Sequence, residues 1–181
     1  LGAFAALATG TAQADGHKIA VGGKNFTEQL LLTEVTAQLL AAKGHEVEKI
    51  EGMGSAVLRK AQVAGQVDVY WEYTGTSLVT YNKVKESLNA DETYARVKEL
   101  DAKQGLVWLD ASNANNTYAL AVRKADADAQ NLHSLSDLAA AYNADKSVKM
   151  GVNAEFPKRP DGLIGLQKHY GFKAGRKHLA P

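Results

Sequence analysis

Five side chains stand where they could hold a small molecule. Lys24, Tyr73, Thr76, Tyr118 and Arg159 are two cations, two aromatics and a hydroxyl, carried by four loops. Each loop follows a segment expected to be a strand, and in open α/β sheets ligands sit outside the carboxyl ends of the strands. The richest of the four covers residues 65 to 76, Gly-Gln-Val-Asp-Val-Tyr-Trp-Glu-Tyr-Thr-Gly-Thr, where an alternating stretch ends in an aromatic and hydroxyl-rich turn. Val67, Val69 and Trp71 share one face and Asp68 and Tyr70 the other, the two-residue period of a strand. Trp71 is therefore expected in the core with the two valines, and Tyr73 and Thr76 at the strand's mouth. Lys24 is expected in the loop before a helix, beside unpaired backbone N–H groups that favour an anion, a corner for a carboxylate or a phosphate.

Taken singly, these residues have plainer readings. Tyr73 and Tyr118 read as core or rim tyrosines with satisfied hydroxyls, Lys24 as a solvated residue at a helix start, and Arg159 as a surface arginine partnered by Asp161. Asp68 and Glu72 resemble paired acids, but no glycosidase-like separation follows from their positions. The histidines lack metal-ligand spacing, and Gly22-Gly23 lacks the third glycine of a dinucleotide fingerprint. The absence of cysteine from the sequence removes thiol catalysis, Cys-ligated zinc, disulfides and a lipid-attachment cysteine. With 21 basic and 20 acidic residues the chain has no global field for nucleic acid or anionic membranes. The expectation is a binding protein, with no enzymatic activity, cofactor or metal.

The elements that must position these residues alternate. A strand is expected at 17 to 22, then a helix to Lys43 with Leu31, Val35 and Leu39 as its apolar stripe, Asn25 and Glu28 as a capping pair and Gly44 as its stop. A strand at 46 to 50, a helix at 54 to 64 and the strand at 65 to 71 complete a strand-helix series, which implies right-handed crossovers and a mostly parallel sheet. A helical hairpin at 77 to 105 and a strand at 106 to 109 lead to a polar stretch at 110 to 116, the expected crossing between lobes. Beyond it come a strand at 118 to 122, a helix at 135 to 142 capped by Ser134, a strand at 148 to 152, a loop at 153 to 162 and a helix at 163 to 170. The chain thus reads as two α/β lobes, 15 to 111 and 112 to 181, the second stopping early. Residues 1 to 14 end in Ala12-Gln13-Ala14 after a short apolar run, the tail of a secretory signal too short to span a bilayer. An exported, cysteine-free, unanchored chain suits a bacterial periplasm.

Four motifs in order carry a resemblance. Gly-Gly-Lys-Asn-Phe-Thr-Glu-Gln (22 to 29), the stretch at 65 to 76, Asn-Asn-Thr-Tyr-Ala-Leu (115 to 120) and Glu-Phe-Pro-Lys-Arg-Pro-Asp-Gly (155 to 162) resemble those of the osmoprotectant-binding proteins of ABC importers. The resemblance runs from about Lys18 to Phe172 and implies a two-lobed periplasmic-binding-protein-like architecture of type II. It further implies a quaternary ammonium ligand such as glycine betaine or choline, an ABC permease in the inner membrane as partner, and a monomer. A trimethylammonium group has no N–H to donate and is enclosed by aromatic faces, each contact contributing about 0.5–2 kcal/mol. Tyr73 and Tyr118 match two walls of such a cage, while Arg159, Lys24 and Thr76 would take a betaine carboxylate. An unpaired buried arginine would then disfavour a plain cation such as choline. Many relatives have an aspartate where this chain has Asn116, and relatives continue past Tyr170-Gly171, where the remaining cage aromatics are expected. The competing reading is a ligand-sensing domain of a receptor or regulator with the same fold.

Overall fold

The computed structural model describes residues 18–144 and 147–180, so the expected signal tail at 1 to 14 lies outside the described residues. The chain divides into two compact units, one running to Trp71 and the other starting at Glu72. In the first, strand β1 (Ile19–Lys24) is the middle of a three-stranded parallel sheet, between β2 (Val47–Met53) and β3 (Val69–Tyr70). Helices α1 (Thr27–Ala42) and α2 (Ser55–Val63) make the crossovers that the strand-helix alternation requires. β3 is shorter than the alternation at 65 to 71 implies, and a side chain extends its pairing: the Asp68 carboxylate accepts from the Ala20 N–H at 2.7 Å. Leu58, Ala61 and Val67 form the core under this sheet.

Helix α1 has the expected period and the opposite phase. Leu31, Val35 and Leu39 are 63%, 63% and 59% exposed, whereas Gln29, Thr33 and Ala37 are buried. Both triplets repeat every four residues, but an offset of two residues turns a helix by about 200°. Polar anchors set the phase. Thr33 Oγ1 donates to the Gly22 carbonyl at 3.1 Å, and Gln29 accepts from the Lys24 N–H at 3.3 Å while donating to the Trp71 carbonyl at 3.0 Å. The Asn25–Glu28 capping pair does not form: Phe26 is the N-cap, and no side chain caps the helix. Gly44, past the helix end, adopts φ +89° as its sequence position suggests. Trp71 is also displaced from expectation, 39% exposed, with its indole N–H donating to Thr36 Oγ1 at 2.9 Å. An indole N–H is satisfied at the rim more readily than in a small aliphatic core.

The second unit begins with α3 (Thr74–Thr76), a single turn that runs into a π-helical turn, Ser77–Tyr81. Helix α4 (Ala90–Ala102) starts at a complete capping box between Asn89 and Glu92. After α5 (Lys124–Gln130), Ser134 caps α6 (Leu135–Asn143) as its sequence position suggests, accepting from the Asp137 N–H. β4 (Met150–Gly151) pairs in parallel with β5 (Leu179–Ala180), and α7 (Leu163–Tyr170) packs over a core of Ala139, Tyr142, Met150, Phe156, Leu163 and Phe172. The expected strands at 106 to 109 and 118 to 122 form no ladder among the described residues, and Val107 and Leu109 are 81% and 71% exposed. Alternation records how a segment fits a sheet and cannot supply the neighbouring strand. The polar stretch at 110 to 116 lies within this second unit, exposed throughout. Among the described residues no helix is long and apolar enough to cross a membrane.

Gly22 tests the packing of the first unit. A Cβ there would stand 2.6 Å from Leu58 Cδ1 and 2.8 Å from Val67 Cγ1, and both side chains are almost completely buried. Gly22→Ala is expected to lower unfolding free energy by about 1–3 kcal/mol through overpacking. A urea titration with an unmoved midpoint would refute that account.

Candidate functional site

The loop at 153 to 162 is built to present an arginine. Asn153 Oδ1 accepts the Phe156 N–H at 2.8 Å and starts a 3₁₀ turn, Phe156–Lys158, with Pro157 inside it. Arg159 then leaves the turn in an extended conformation, φ −85° and ψ 135°, as a residue preceding a proline must. Gly162 closes the loop tightly, because a Cβ there would lie 2.6 Å from the Phe156 carbonyl oxygen. Phe156 is 6% exposed within the core cluster, so the loop is pinned at its base.

Arg159 is 5% exposed, which removes the reading of a solvated surface arginine. Its partnership with Asp161 is real. Nε donates to Oδ1 at 2.9 Å and Nη2 to Oδ2 at 2.6 Å, a two-pronged pair, while Nη1 donates to Thr76 Oγ1 at 3.0 Å. The Tyr118 ring covers the guanidinium, its centroid 5.3 Å from Cζ, and meets Phe156 edge-on at 5.1 Å. Burial opposes the Arg159 charge, but the Asp161 pair, with smaller contributions from the Tyr118 and Tyr81 hydroxyls, outweighs it and holds the guanidinium above its ordinary value. Three of the five expected site residues, Thr76, Tyr118 and Arg159, are therefore in contact, although they lie far apart in sequence.

Tyr73 lies three residues before Thr76 as the N-cap of α3, half-buried. Its N–H donates to Glu72 Oε1 at 2.8 Å, and Glu72 Oε2 accepts from the Tyr81 hydroxyl at 3.0 Å. One carboxylate thus fastens both ends of the turn that carries Tyr73 and Thr76. Lys24 belongs to the first unit and is the last residue of β1, still paired opposite Met53, not a loop residue. It is 1% exposed, so it is no solvated helix-start lysine.

Sequence reading missed Tyr81, Phe156 and the clamp made by Glu72. Phe156 was signalled, three residues before Arg159 on a short turn. Tyr81 was not, because its link to Glu72 depends on the π-helical turn between them. A shallow concavity of about 410 Å³ bounded by Glu86, Leu88, Glu92, Ala95, Arg96 and Glu99 includes none of the five residues. Among the described residues no cluster of His, Asp and Glu is placed to hold a metal.

Residues 17–180 match the OpuAC family, the substrate-binding domain of the ABC-type glycine betaine transport system. The chain is 44% identical over 179 residues to a glycine-betaine-binding protein of Pseudomonas aeruginosa, covering 96% of this chain and 57% of that protein. It is 36% identical to the glycine betaine-binding protein YehZ of Escherichia coli, covering 89% of this chain and 54% of the relative. The structure of apo YehZ from Escherichia coli superposes with a TM-score of 0.54 at 35% identity, over 90% of this chain and 59% of that one. The chain thus spans little more than half the length of these relatives, and its fold is the α/β fold of type II substrate-binding proteins.

Removing Asp161 leaves a buried guanidinium uncompensated. Asp161→Ala is expected to lower the stability of the second unit by about 1–3 kcal/mol, less than a fully buried pair because the Asp161 side chain is 38% exposed. Chemical denaturation followed by Trp108 fluorescence checks this, and no loss would mean that Asp161 is only a surface partner.

Proposed function

The chain belongs to the family of substrate-binding domains of ABC-type glycine betaine transport systems, and on that footing we propose that it captures a quaternary ammonium osmoprotectant, glycine betaine or choline, for an inner-membrane ABC permease. It does so in the periplasm as a monomer and without chemical conversion of the ligand. Lys24, Tyr73, Thr76, Tyr118 and Arg159 are the proposed ligand-binding residues. The observation that carries the reading is the buried Arg159 junction, where a neutralised guanidinium, a hydroxyl and an aromatic face converge.

The chemistry of that junction fits a zwitterion. Arginine has five N–H donors, and three are engaged by Asp161 and Thr76, which leaves two for a ligand carboxylate. Thr76 accepts from Arg159, so its own hydroxyl hydrogen remains to be donated. Because Asp161 already balances Arg159, the junction favours a ligand of zero net charge over a free anion. Tyr73 and Tyr118 supply electron-rich faces for the trimethylammonium end. Lys24 enters on its motif and its burial.

In the full-length protein, Tyr73→Ala and Arg159→Ala are each expected to weaken glycine betaine binding about tenfold or more, by loss of a cation-π wall and of a charged donor respectively. Choline, with no carboxylate, loses affinity with Tyr73→Ala and much less with Arg159→Ala. Isothermal titration calorimetry reads both ligands, and unchanged affinity in both variants would sink the assignment. Betaine and choline recovered unaltered after incubation would agree with a non-enzymatic role.

A further inference from the structure

One carboxylate outside the proposed ligand contacts is completely buried. Asp101, in the last turn of α4, is 0% exposed. Its Oδ2 accepts from Ser77 Oγ at 2.8 Å and from the Trp108 indole N–H at 2.7 Å, and its Oδ1 accepts from Asn82 Nδ2 at 2.8 Å. Asn82 Nδ2 also reaches the Ser77 carbonyl oxygen and hydroxyl, each at 3.1 Å. The first residue of the π-helical turn Ser77–Tyr81, the residue that follows it and Trp108 therefore meet on a single side chain.

The donors explain why that side chain must be a carboxylate. An indole N–H donates only, and so does the amide NH₂ of asparagine, so the two oxygens at position 101 must both accept. An asparagine there would turn an NH₂ toward one of these donors and leave it unpaired in a buried place. The turn so held is of a rare kind that recurs at functional sites. It starts one residue after Thr76, whose hydroxyl receives the Arg159 Nη1 bond.

We propose that Asp101 is a positioning residue of the ligand site: by gripping Ser77 and Asn82 it fixes the π-helical turn and hence the place of the Thr76 hydroxyl against Arg159. The inference rests on the proposed osmoprotectant-binding reading for its ligand. It assigns to α4, which carries no proposed ligand contact, the role of setting the affinity for the carboxylate end.

A double-mutant cycle tests it in the full-length protein, with Asp101→Asn, Thr76→Val and the pair together, reading glycine betaine and choline dissociation constants by calorimetry well below each variant's melting temperature. Asp101→Asn is expected to weaken glycine betaine about tenfold, to leave choline within about twofold, and to add little in the Thr76→Val background, since coupled neighbours are non-additive. Ser77→Ala, which removes one bond and spares the rest, covers the case in which Asp101→Asn does not fold, and is expected to show the same pattern at about threefold. Equal losses in both Thr76 backgrounds, or equal losses for both ligands, would overturn the inference and leave Asp101 a stabiliser only. Amide hydrogen exchange without ligand separates this from failure of the functional reading. The Ser77 and Asn82 amides are bonded to the Tyr73 and Ser77 carbonyls. They should lose protection in Asp101→Asn or Ser77→Ala while α6 keeps its own. Unchanged protection would overturn the positioning role whatever the protein binds, whereas a wild-type protein that binds neither ligand would overturn the functional reading, and with it any role for Asp101 at a ligand site.

Discussion

The second unit depends on how a guanidinium can be buried. An arginine 5% exposed is tolerable only if its charge is matched and its donors are used, and Asp161 does both with two parallel bonds two residues along the chain. Everything around the junction follows from keeping that pair in place. Pro160 forces Arg159 to be extended, Gly162 allows the loop to close, and Phe156 roots it in the core. With the guanidinium held from one side, its Nη1 edge and its face are left for Thr76 and Tyr118.

The fold was legible in the sequence where local and global preferences agree. The strand-helix alternation before Trp71 gives the parallel pairing that is found, though not the order β2-β1-β3, and the helices at 135 to 142 and 163 to 170 fall almost where the sequence puts them. It was illegible where a polar side chain outbids an apolar stripe. In α1 the hydrogen bonds of Gln29 and Thr33 to the ends of β1 and β3 select the face, and three large aliphatic side chains turn outward. Helix α5 escaped notice for a related reason: Lys-Ala-Asp-Ala-Asp-Ala-Gln has no apolar period and is supported by ion pairs of Arg123 with Asp126 and Lys124 with Asp128.

The candidate site was legible as residue types on loops, and less so as contacts. Thr76, Tyr118 and Arg159 were picked out by motif, and they meet. Lys24 was picked out too, but continued pairing of β1 with β2 carries it into the strand. The carboxylates were the harder part. Asp161 was legible as the partner of Arg159. Glu72 and Asp101 fall in no pattern of spacing that marks a carboxylate site, yet each accepts two or more hydrogen bonds and together they hold the stretch from Tyr73 to Asn82. Such acceptors are recognised by their donors, and those are gathered only by the folded chain.

The Asp161 pair also changes the argument for selectivity. From the sequence, a buried arginine left unpaired would disfavour choline by the full penalty of an uncompensated charge. Arg159 is not unpaired when the site is empty, so that penalty is already met within the protein. In the proposed reading, what distinguishes glycine betaine is then smaller: two remaining N–H donors and the Thr76 hydroxyl, which a carboxylate satisfies and a hydroxyethyl group satisfies less well. A charge-assisted bond of this kind is worth about 1.5–3 kcal/mol, so each one that the hydroxyethyl group fails to replace gives a preference of roughly ten- to 150-fold. Tyr118 sharpens the consequence, because the face it offers to a ligand cation belongs to a ring already drawn over the Arg159 cation. A trimethylammonium group approaching that ring meets a face whose negative potential is partly spent, so the stronger aromatic contact is assigned to Tyr73.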